Sequence, residues 1–453
     1  MEFADLPFDV LYLIFEYIHV SDSRSIKLTC RRFYNISKMI RFSGGVTIHK
    51  DRSFIIPKCQ YYTLLGNPDK LPTNVLQDTF RWSRITLCTG SLADKYHSFI
   101  YAKSLVVNEI ANAGMTTLPN VFENIEYLGL KSFKSLTNVD AVSQLPAIKY
   151  FTMKECNKLE FIHGIRNLDV LDIEDCKSLT ILDNCSNIKT VRLSSNNNLQ
   201  VVEIKGKSDL IIMHYCPKVR TLIGNAKRVR LYGSVGIEDI SSLVDVEDLN
   251  INGCTKITDI SMLKNLRKLS MNGCVGITDL SALTLLEELS MHGCTGVTDI
   301  SMLKNLRKLN MDYCTGVSDV SELTLLEELS MDNCINVKDI NMLKKLRKLN
   351  ISHCTGITNI DTLPLLEELR MDCCANVVTI SILPNIKFVS MYSCHGVKDV
   401  DGLMNVNILH VNDCWHVRGV EKLTNLKELA IGRFSDYNIG MIRQNSPGVN
   451  IIP

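Results

Sequence analysis

The sequence lacks an excess of charge of either sign. Its 453 residues include 50 Lys and Arg against 49 Asp and Glu, which gives a formal net charge of +1. A chain this evenly balanced has no general electrostatic attraction for nucleic acid or for an anionic membrane, although a local patch is compatible with it. We therefore expect neither nucleic acid nor a membrane among its partners.

Long hydrophobic runs are also missing. No segment offers the roughly 18 consecutive apolar residues of a transmembrane helix. The first 20 residues carry four acidic side chains and no Lys or Arg, which is the reverse of a secretory signal. These absences predict a cytoplasmic or nuclear protein, in its own cell or in a host cell, whose 17 cysteines stay reduced.

Motifs that carry chemistry are absent as well. The sequence contains no G-x-S-x-G, no Walker A loop, no G-x-G-x-x-G and no H-E-x-x-H. Zinc sites need cysteine pairs spaced by two to four residues, whereas the one close pair here is the vicinal Cys373-Cys374. We expect no metal, no cofactor and no catalytic residue, and therefore no enzyme.

The cysteines form a regular column. Nine of them recur every 20 residues without exception: Cys254, Cys274, Cys294, Cys314, Cys334, Cys354, Cys374, Cys394 and Cys414. The upstream members are Cys156, Cys176, Asn196 and Cys216, and Ser234 and Phe434 take the equivalent position in their own units. Single cysteines at this spacing predict a linear ladder and not a metal site.

The unit around this column resembles a leucine-rich repeat. It reads Leu263-x-x-Leu266-x-x-Leu269-x-Met271-x-x-Cys274-x-x-Ile277-x-x-Leu280. The resemblance implies that the cysteine position turns inward at the end of the strand, where a small side chain fits. Alternation of apolar and polar residues predicts one short strand per unit, and each strand must stack on its neighbours to bury its apolar face. The return segment, of the type Thr278-Asp279-Leu280-Ser281, has room for a capped turn or a 3₁₀ segment. The predicted fold is α/β: a leucine-rich-repeat solenoid with one parallel sheet on its concave face.

A second period lies over the first. Basic units alternate with acidic ones: Arg267/Lys268, Glu287/Glu288, Arg307/Lys308, Glu327/Glu328, Arg347/Lys348 and Glu367/Glu368. Equivalent residues of adjacent strands lie about 4.8 Å apart. The favoured interpretation is a set of cross-strand ion pairs that fix the register. The alternative is a striped surface that binds a partner of matching charge.

The first forty residues differ from the rest. Apolar residues at 10, 11, 14, 15 and 18 have helical spacing, and Pro7 lies where a helix can begin. A polar break at 21–23 precedes a second helix at about 22–36. This predicts a small all-α hairpin with too little core of its own, so another protein should cover its apolar surface.

The hairpin sequence resembles an F-box. The resemblance rests on Leu6-Pro7, Val10-Leu11, Ile14-Phe15, Tyr17-Ile18 and Cys30-Arg31-Arg32-Phe33. It implies docking on a Skp-type adaptor through Leu6, Pro7, Val10, Leu11, Ile14, Phe15, Ile18 and Cys30. We predict three segments: the F-box module at 1–43, degenerate repeats at 44–150, and regular repeats with a C-terminal cap at 151–453.

An F-box followed by leucine-rich repeats implies the substrate-recognition subunit of an SCF-type cullin–RING ubiquitin ligase. The adaptor and cullin core would bind at the N-terminus, and the repeats would bind the target protein. The alternative is a protein-binding scaffold without a ligase role, whose hairpin only caps the solenoid.

Aromatic and arginine side chains at exposed strand positions are candidates for substrate binding, because such residues dominate interface energies. One predicted group is Tyr150, Arg192, His214, Arg228, Arg230 and Tyr232, whose basic members could favour an acidic or phosphorylated segment. The other group is Phe388, Tyr392, His410 and Trp415, near the C-terminus.

Overall fold

The computed structural model describes residues 42–49, 59–65, 84–87, 104–108, 116–118, 124–380, 383–432 and 437–452, with backbone alone for the first four ranges. The predicted F-box module at 1–43 therefore lies outside the described residues, apart from its last two positions. The chain divides into two compact units, Met1–Asn225 and Ala226–Pro453. Among the described residues, no helix is long and apolar enough to cross a membrane.

The first unit is built from parallel strands. They are β1 (Phe42–His49), β2 (Cys59–Leu65), β3 (Arg84–Leu87), β4 (Ser104–Asn108), β5 (Tyr127–Lys131), β6 (Tyr150–Lys154), β7 (Phe161–His163), β8 (Arg166–Glu174), β9 (Ile181–Ser194) and β10 (Val201–His214). Each strand from β1 to β6 pairs in parallel with the next, and β6, β8, β9 and β10 continue the order. Each repeat contributes one strand to this ladder, and that strand stacks on the strand of the preceding repeat. This is the solenoid that the sequence predicts.

The return segments of residues 161–208 differ from the expected short turn. They are extended and form a second parallel ladder, in which β7 pairs with Ile181–Asp183 and these residues pair with the start of β10. Here the sequence has no Thr-Asp-x-Ser return and is instead rich in Ile and Val, which favour strands. The chain turns the corners at residues with positive φ, including Gly164 (65°), Asn184 (51°) and Gly206 (84°), where Gly and Asn cost least.

The second unit has shorter strands. β11 (Thr221–Tyr232) begins in the first unit and continues into the second, where it is followed by β12 (Asp248–Asn250), β13 (Lys268–Ser270), β14 (Glu288–Ser290), β15 (Lys308–Asn310), β16 (Glu328–Ser330), β17 (Lys348–Asn350), β18 (Glu368–Arg370), β19 (Phe388–Ser390), β20 (Ile408–His410), β21 (Glu428–Ala430) and β22 (Asn450–Ile452). All pair in parallel with their neighbours, and from β12 to β21 the register advances by 20 residues per strand.

Each short strand from β12 to β21 buries its central residue, and its first residue is exposed or half-buried. In the repeat around Cys274, the exposed fraction is 3% for Leu269 and 0% for Met271 and Cys274. Burying a side chain of this size contributes about 1.5–3 kcal/mol relative to exposure. Because the same positions are buried in the repeats of β12–β20, the core of the second unit is a continuous column.

The return segments of the second unit are turns, as predicted. The Asp279 Oδ1 atom accepts a hydrogen bond from the Ser281 amide at 2.8 Å, and the Leu283 amide then bonds to the Leu280 carbonyl. In the part of the chain that the structure describes, 3₁₀ segments occur at Asp140–Gln144 and Val420–Lys422. Helix α1 (Ile439–Asn445) begins after Asn438, whose side chain accepts from the Met441 amide at 3.1 Å.

Candidate binding surfaces

The cysteine column is buried, as predicted, and serves the fold. The Cys294 Sγ–H donates to the Met271 carbonyl at 3.0 Å, and the Cys334 Sγ–H donates to the Met311 carbonyl at 2.9 Å, so each thiol satisfies an acceptor in the preceding repeat. Burial raises the pKa of the Cys334 thiol to about 12. Neutral, hydrogen-bonded thiols of this kind are inert. Across the described residues, no group of His, Cys, Asp or Glu side chains is arranged to hold a metal ion.

Small polar residues beside the strands form a second ladder. The Asn272 Oδ1 atom accepts from the Ser290 hydroxyl and from the His292 amide, both at 2.8 Å. Asp312 makes the same two bonds with Ser330 and Asp332, at 2.7 and 2.8 Å. Each such side chain ties one repeat to the next, so these positions hold the register of the stack.

The charged stripe is made of ion pairs between adjacent strands, which confirms the favoured interpretation. Each basic rung pairs with the acidic rung that follows it: Arg267–Glu287 (2.5 Å), Lys268–Glu288 (2.7 Å), Arg307–Glu327 (2.7 Å), Lys308–Glu328 (3.0 Å), Arg347–Glu367 (2.7 Å) and Lys348–Glu368 (3.2 Å). The second residue of each rung, from Lys268 to Glu368, lines a shallow groove of about 730 Å³ on the exposed face of β12–β18. Because its charges neutralise one another, this groove presents no dominant sign to a partner.

The C-terminal group of candidates is partly brought together. The Arg370 guanidinium lies 4.7 Å from the centre of the Phe388 ring, and Phe388 meets the His410 ring edge-on at 5.6 Å. His410 Nε2 is 3.0 Å from a Glu428 carboxylate oxygen. These four side chains form a chain of contacts across β18–β21, in which Phe388 and Glu428 occupy the position of the earlier ion pairs and Arg370 and His410 lie two residues further along their strands.

Tyr392 and Trp415, the other two members of that group, lie in the loops that follow the strands. They are 47% and 62% exposed. The Trp415 ring is 5.9 Å from that of His395. The sequence-based selection missed Arg370 and His395, which are recognisable as partners only once adjacent repeats are placed side by side.

The Arg/Tyr group is distributed over the two units. Tyr150, Arg192 and His214 lie in the first unit, where the Tyr150 ring is 6.3 Å from that of Tyr127. Arg192 is opposite Asp172 in the ladder between β8 and β9, and its charge opposes the effect of burial, which raises the Asp172 pKa.

The remaining members, Arg228, Arg230 and Tyr232, are in the second unit on β11. The Arg230 guanidinium pairs with the Asp248 carboxylate and also donates to the Val229 and Asp248 carbonyls, at 3.1 and 3.2 Å. Three bonds within the fold make Arg230 a structural residue in this conformation. Substrate binding by the group stays a prediction.

The predicted adaptor-binding residues all lie outside the described residues. They are Leu6, Pro7, Val10, Leu11, Ile14, Phe15, Ile18 and Cys30. Their assignment depends on the sequence alone.

Comparison with domain families identifies the N-terminal segment. Residues 3–43 match the F-box domain family. No curated protein matches the sequence.

Solved structures similar to this chain include repeat proteins of bacteria. A leucine-rich-repeat protein of Leptospira interrogans is 17% identical, with a TM-score of 0.40 over 77% of this chain and 95% of that one. The functional domain of InlJ from Listeria monocytogenes, described as including a cysteine ladder, is 17% identical, with a TM-score of 0.33 over 77% and 68%. An internalin, InlF, of the same species is 14% identical, with a TM-score of 0.29 over 84% and 88%.

The solenoid is seen in this chain itself. The chain has a regular repeat length, parallel stacking of one strand per repeat, and buried columns of Leu and Cys. The chain thus carries an F-box domain at residues 3–43, followed by a leucine-rich-repeat solenoid.

Proposed function

We propose that this protein is the substrate-recognition subunit of an SCF-type cullin–RING ubiquitin ligase. The F-box would dock on a Skp-type adaptor, and the repeats would bind the target protein. The observation that carries the proposal is the F-box match at residues 3–43, placed directly before a long repeat solenoid.

The solenoid supports a binding role rather than a chemical one. Its buried cysteines and its polar ladder are engaged within the fold, and its outward side chains form an extended surface of strands and loops. Repeat stacks of this kind bind other proteins over long surfaces. The contribution to ubiquitin transfer would be proximity, since the bound target is held near the transferring enzyme.

Affinity capture of the full chain tests the proposal. The variant Leu6→Ala/Pro7→Ala/Ile14→Ala removes apolar side chains from the F-box sequence, and we expect it to lose an adaptor and a cullin from the captured proteins. The matched control Val244→Ala/Met302→Ala/Met342→Ala removes three apolar side chains that are 45%, 49% and 55% exposed on the solenoid. It should retain both. An unchanged partner list in the F-box variant would refute the ligase role.

The second candidate function is a protein-binding scaffold without a ligase role. Solenoid ends need caps, and an amphipathic hairpin could supply one. In that case neither the wild-type chain nor the F-box variant would capture an adaptor or a cullin. The solenoid of the F-box variant would also unfold at a lower temperature than that of the wild type.

A further inference from the structure

One edge of the second unit differs in charge from the rest of its surface. We define the cysteine edge as the five-residue loops that follow β13–β20 and contain the column cysteines, namely residues 272–276, 292–296, 312–316, 332–336, 352–356, 372–376, 392–396 and 412–416. These loops contain no Lys and no Arg, but they contain Asp312, Asp332, Asp372 and Asp413. Excluding histidine, every formal charge on this edge is therefore negative.

The carboxylates are held at the surface without being neutralised by Lys or Arg within the loops. Asp372 accepts from the Ser390 hydroxyl and the Tyr392 amide, both at 2.8 Å, and all four aspartates are half-buried. Asp332 is 2.9 Å from the His353 ring. The nearest basic residues along the chain are Lys338, Lys398 and Arg418, which come after buried valines on the return segments, and Lys256 in the equivalent loop after β12. An aspartate follows each of Lys338 and Lys398.

The same edge exposes apolar and aromatic side chains. The exposed fractions are 53% for Val275, 48% for Tyr313, 49% for Ile335, 47% for Tyr392 and 62% for Trp415. Single exposed apolar residues are ordinary, but several along one edge mark an interaction surface. Tyr and Trp are also the side chains that most often dominate binding energy.

We propose that the cysteine edge binds an extended, arginine- and lysine-rich segment of a partner protein. Carboxylates attract such cations, and the faces of Tyr313, Tyr392 and Trp415 offer cation–π contacts. Seven repeat spacings of about 4.8 Å make the edge about 34 Å long, which fits about ten residues of extended chain. Nucleic acid is disfavoured, because its phosphates would approach four carboxylates. The inference rests on the proposed function in one respect, since it names the kind of protein segment that the solenoid would recognise.

The repeats themselves supply substitutions that preserve the fold. Asn252 and Asn272 stand where Asp312 and Asp372 do, and they accept the same two kinds of hydrogen bond. Gly273 stands where Tyr313 does, and both have positive φ, 71° and 61°. Asp312→Asn/Asp372→Asn therefore removes charge alone, and Tyr313→Gly/Trp415→Ser removes aromatic surface alone.

Fluorescence anisotropy with fluorescein-labelled nona-arginine measures binding to the purified full chain. We expect wild type to bind at 150 mM salt, Asp312→Asn/Asp372→Asn to bind at least about fivefold more weakly, and Tyr313→Gly/Trp415→Ser about tenfold more weakly. The control Glu160→Gln/Glu322→Gln removes two charges elsewhere and should match wild type. Nona-glutamate should not bind.

Three results would overturn the proposal. These are absence of nona-arginine binding by wild type, equal weakening in the control, and no effect of removing the aromatic side chains. Concentration-dependent dimers that Tyr313→Gly/Trp415→Ser abolishes, without peptide binding, would assign the edge to a second copy of the chain. Leu6→Ala/Pro7→Ala/Ile14→Ala should bind nona-arginine like wild type, so failure of the ligase proposal and failure of this one are distinguishable.

Discussion

At the scale of single residues, position in the repeat determines what each cysteine does. The column thiols are buried and bonded to carbonyls, and where Asn196 replaces a cysteine its amide donates to the Ile173 carbonyl at 2.8 Å and accepts from the Cys176 amide at 3.0 Å. Cys373 lies outside the column, one residue before a rung, and is only half-buried. The two kinds of cysteine should therefore differ sharply in reactivity.

Alkylation should separate them. At pH 8 we expect iodoacetamide to modify Cys373 at least about tenfold faster than Cys354, because burial blocks access to Cys354 and raises its pKa to about 11. The Cys373 pKa is also raised, by partial burial and by Asp372, so its modification should accelerate as the pH rises above 8. Peptide mass spectrometry of a time course measures both rates. Comparable rates for the two residues would contradict the buried ladder.

The aspartates of the return segments should make the stability of the fold depend on pH in the acidic range. The amide and hydroxyl of the serine two residues later hydrogen-bond the carboxylate and lower the pKa of each of Asp239, Asp259, Asp279, Asp299 and Asp319 from its usual 3.8. A carboxyl whose pKa is depressed by folding stabilises the native state above its unfolded pKa, and that stability is lost as the pH falls through the folded value. Stability should therefore decline as the pH falls below about 4.

Asparagine at these positions should remove the acid dependence and keep the turn. Asn359 already forms this turn in its own repeat, since its Oδ1 atom accepts a hydrogen bond from the Asp361 amide at 2.8 Å. We expect Asp259→Asn/Asp279→Asn/Asp299→Asn to flatten the dependence of the urea midpoint on pH between 4 and 2.5, with little change at pH 7. The corresponding alanine variant should lose stability at both ends of the range. Identical pH profiles for wild type and the asparagine variant would rule out this linkage.

At the scale of strands, register depends on the charges beside each buried leucine. Glu288 lies between Lys268 and Lys308 in the ladder, and the exposed fractions of the Lys268 and Glu288 side chains are 51% and 41%. Exposed pairs of this kind are worth about 0.2–1 kcal/mol, so they tune the stack rather than hold it together. Their regular alternation therefore matters more for selecting the correct strand register than for the stability of the fold.

Reversing the charge of one residue in the stripe should lower stability by a measurable amount, and a second reversal in the neighbouring strand should restore part of it. Glu288→Lys places three lysines in consecutive strands, and we expect it to lower the free energy of unfolding by about 0.5–1 kcal/mol at low salt. The second change Lys268→Glu should restore part of the loss, because opposite charges again face each other. Urea unfolding of both single variants and the double variant gives the coupling free energy. Coupling that persists unchanged in 1 M salt would argue against an electrostatic origin.

At the scale of the whole molecule, each of the two units is a stack in which the described repeats contact their neighbours. The stability of such a stack is close to a sum of repeat and interface contributions. In the second unit the repeating element is 40 residues, one basic and one acidic repeat, which joins Lys268 to Glu288 and Lys308 to Glu328.

Deletion of whole repeats tests this periodicity. Removal of residues 281–320 takes out one full 40-residue period and leaves a basic rung followed by an acidic one, so we expect a folded protein. Removal of residues 281–300 takes out less of the chain but brings two basic rungs together. We expect the shorter deletion to have the lower urea midpoint at low salt and to recover relative to the longer one at high salt. A lower midpoint for the 40-residue deletion at both salt concentrations would show that repeat number outweighs charge register.

The sequence by itself determined the repeat length, the buried columns and the ion pairs of the charged stripe, because each depends on spacing along a chain that stacks upon itself. The F-box at residues 3–43 was likewise recognisable from its apolar anchors. Tertiary structure alone decided which of the aromatic and arginine side chains outside that stripe meet a partner. Arg370 reaches Phe388 from the preceding strand, and Arg230 is engaged by Asp248 within the fold. It also decided that the returns of residues 161–208 are strands, because a second ladder forms only where neighbouring returns can pair. Contacts between repeats depend on side-chain direction and backbone pairing, which the spacing of residues in one repeat does not specify.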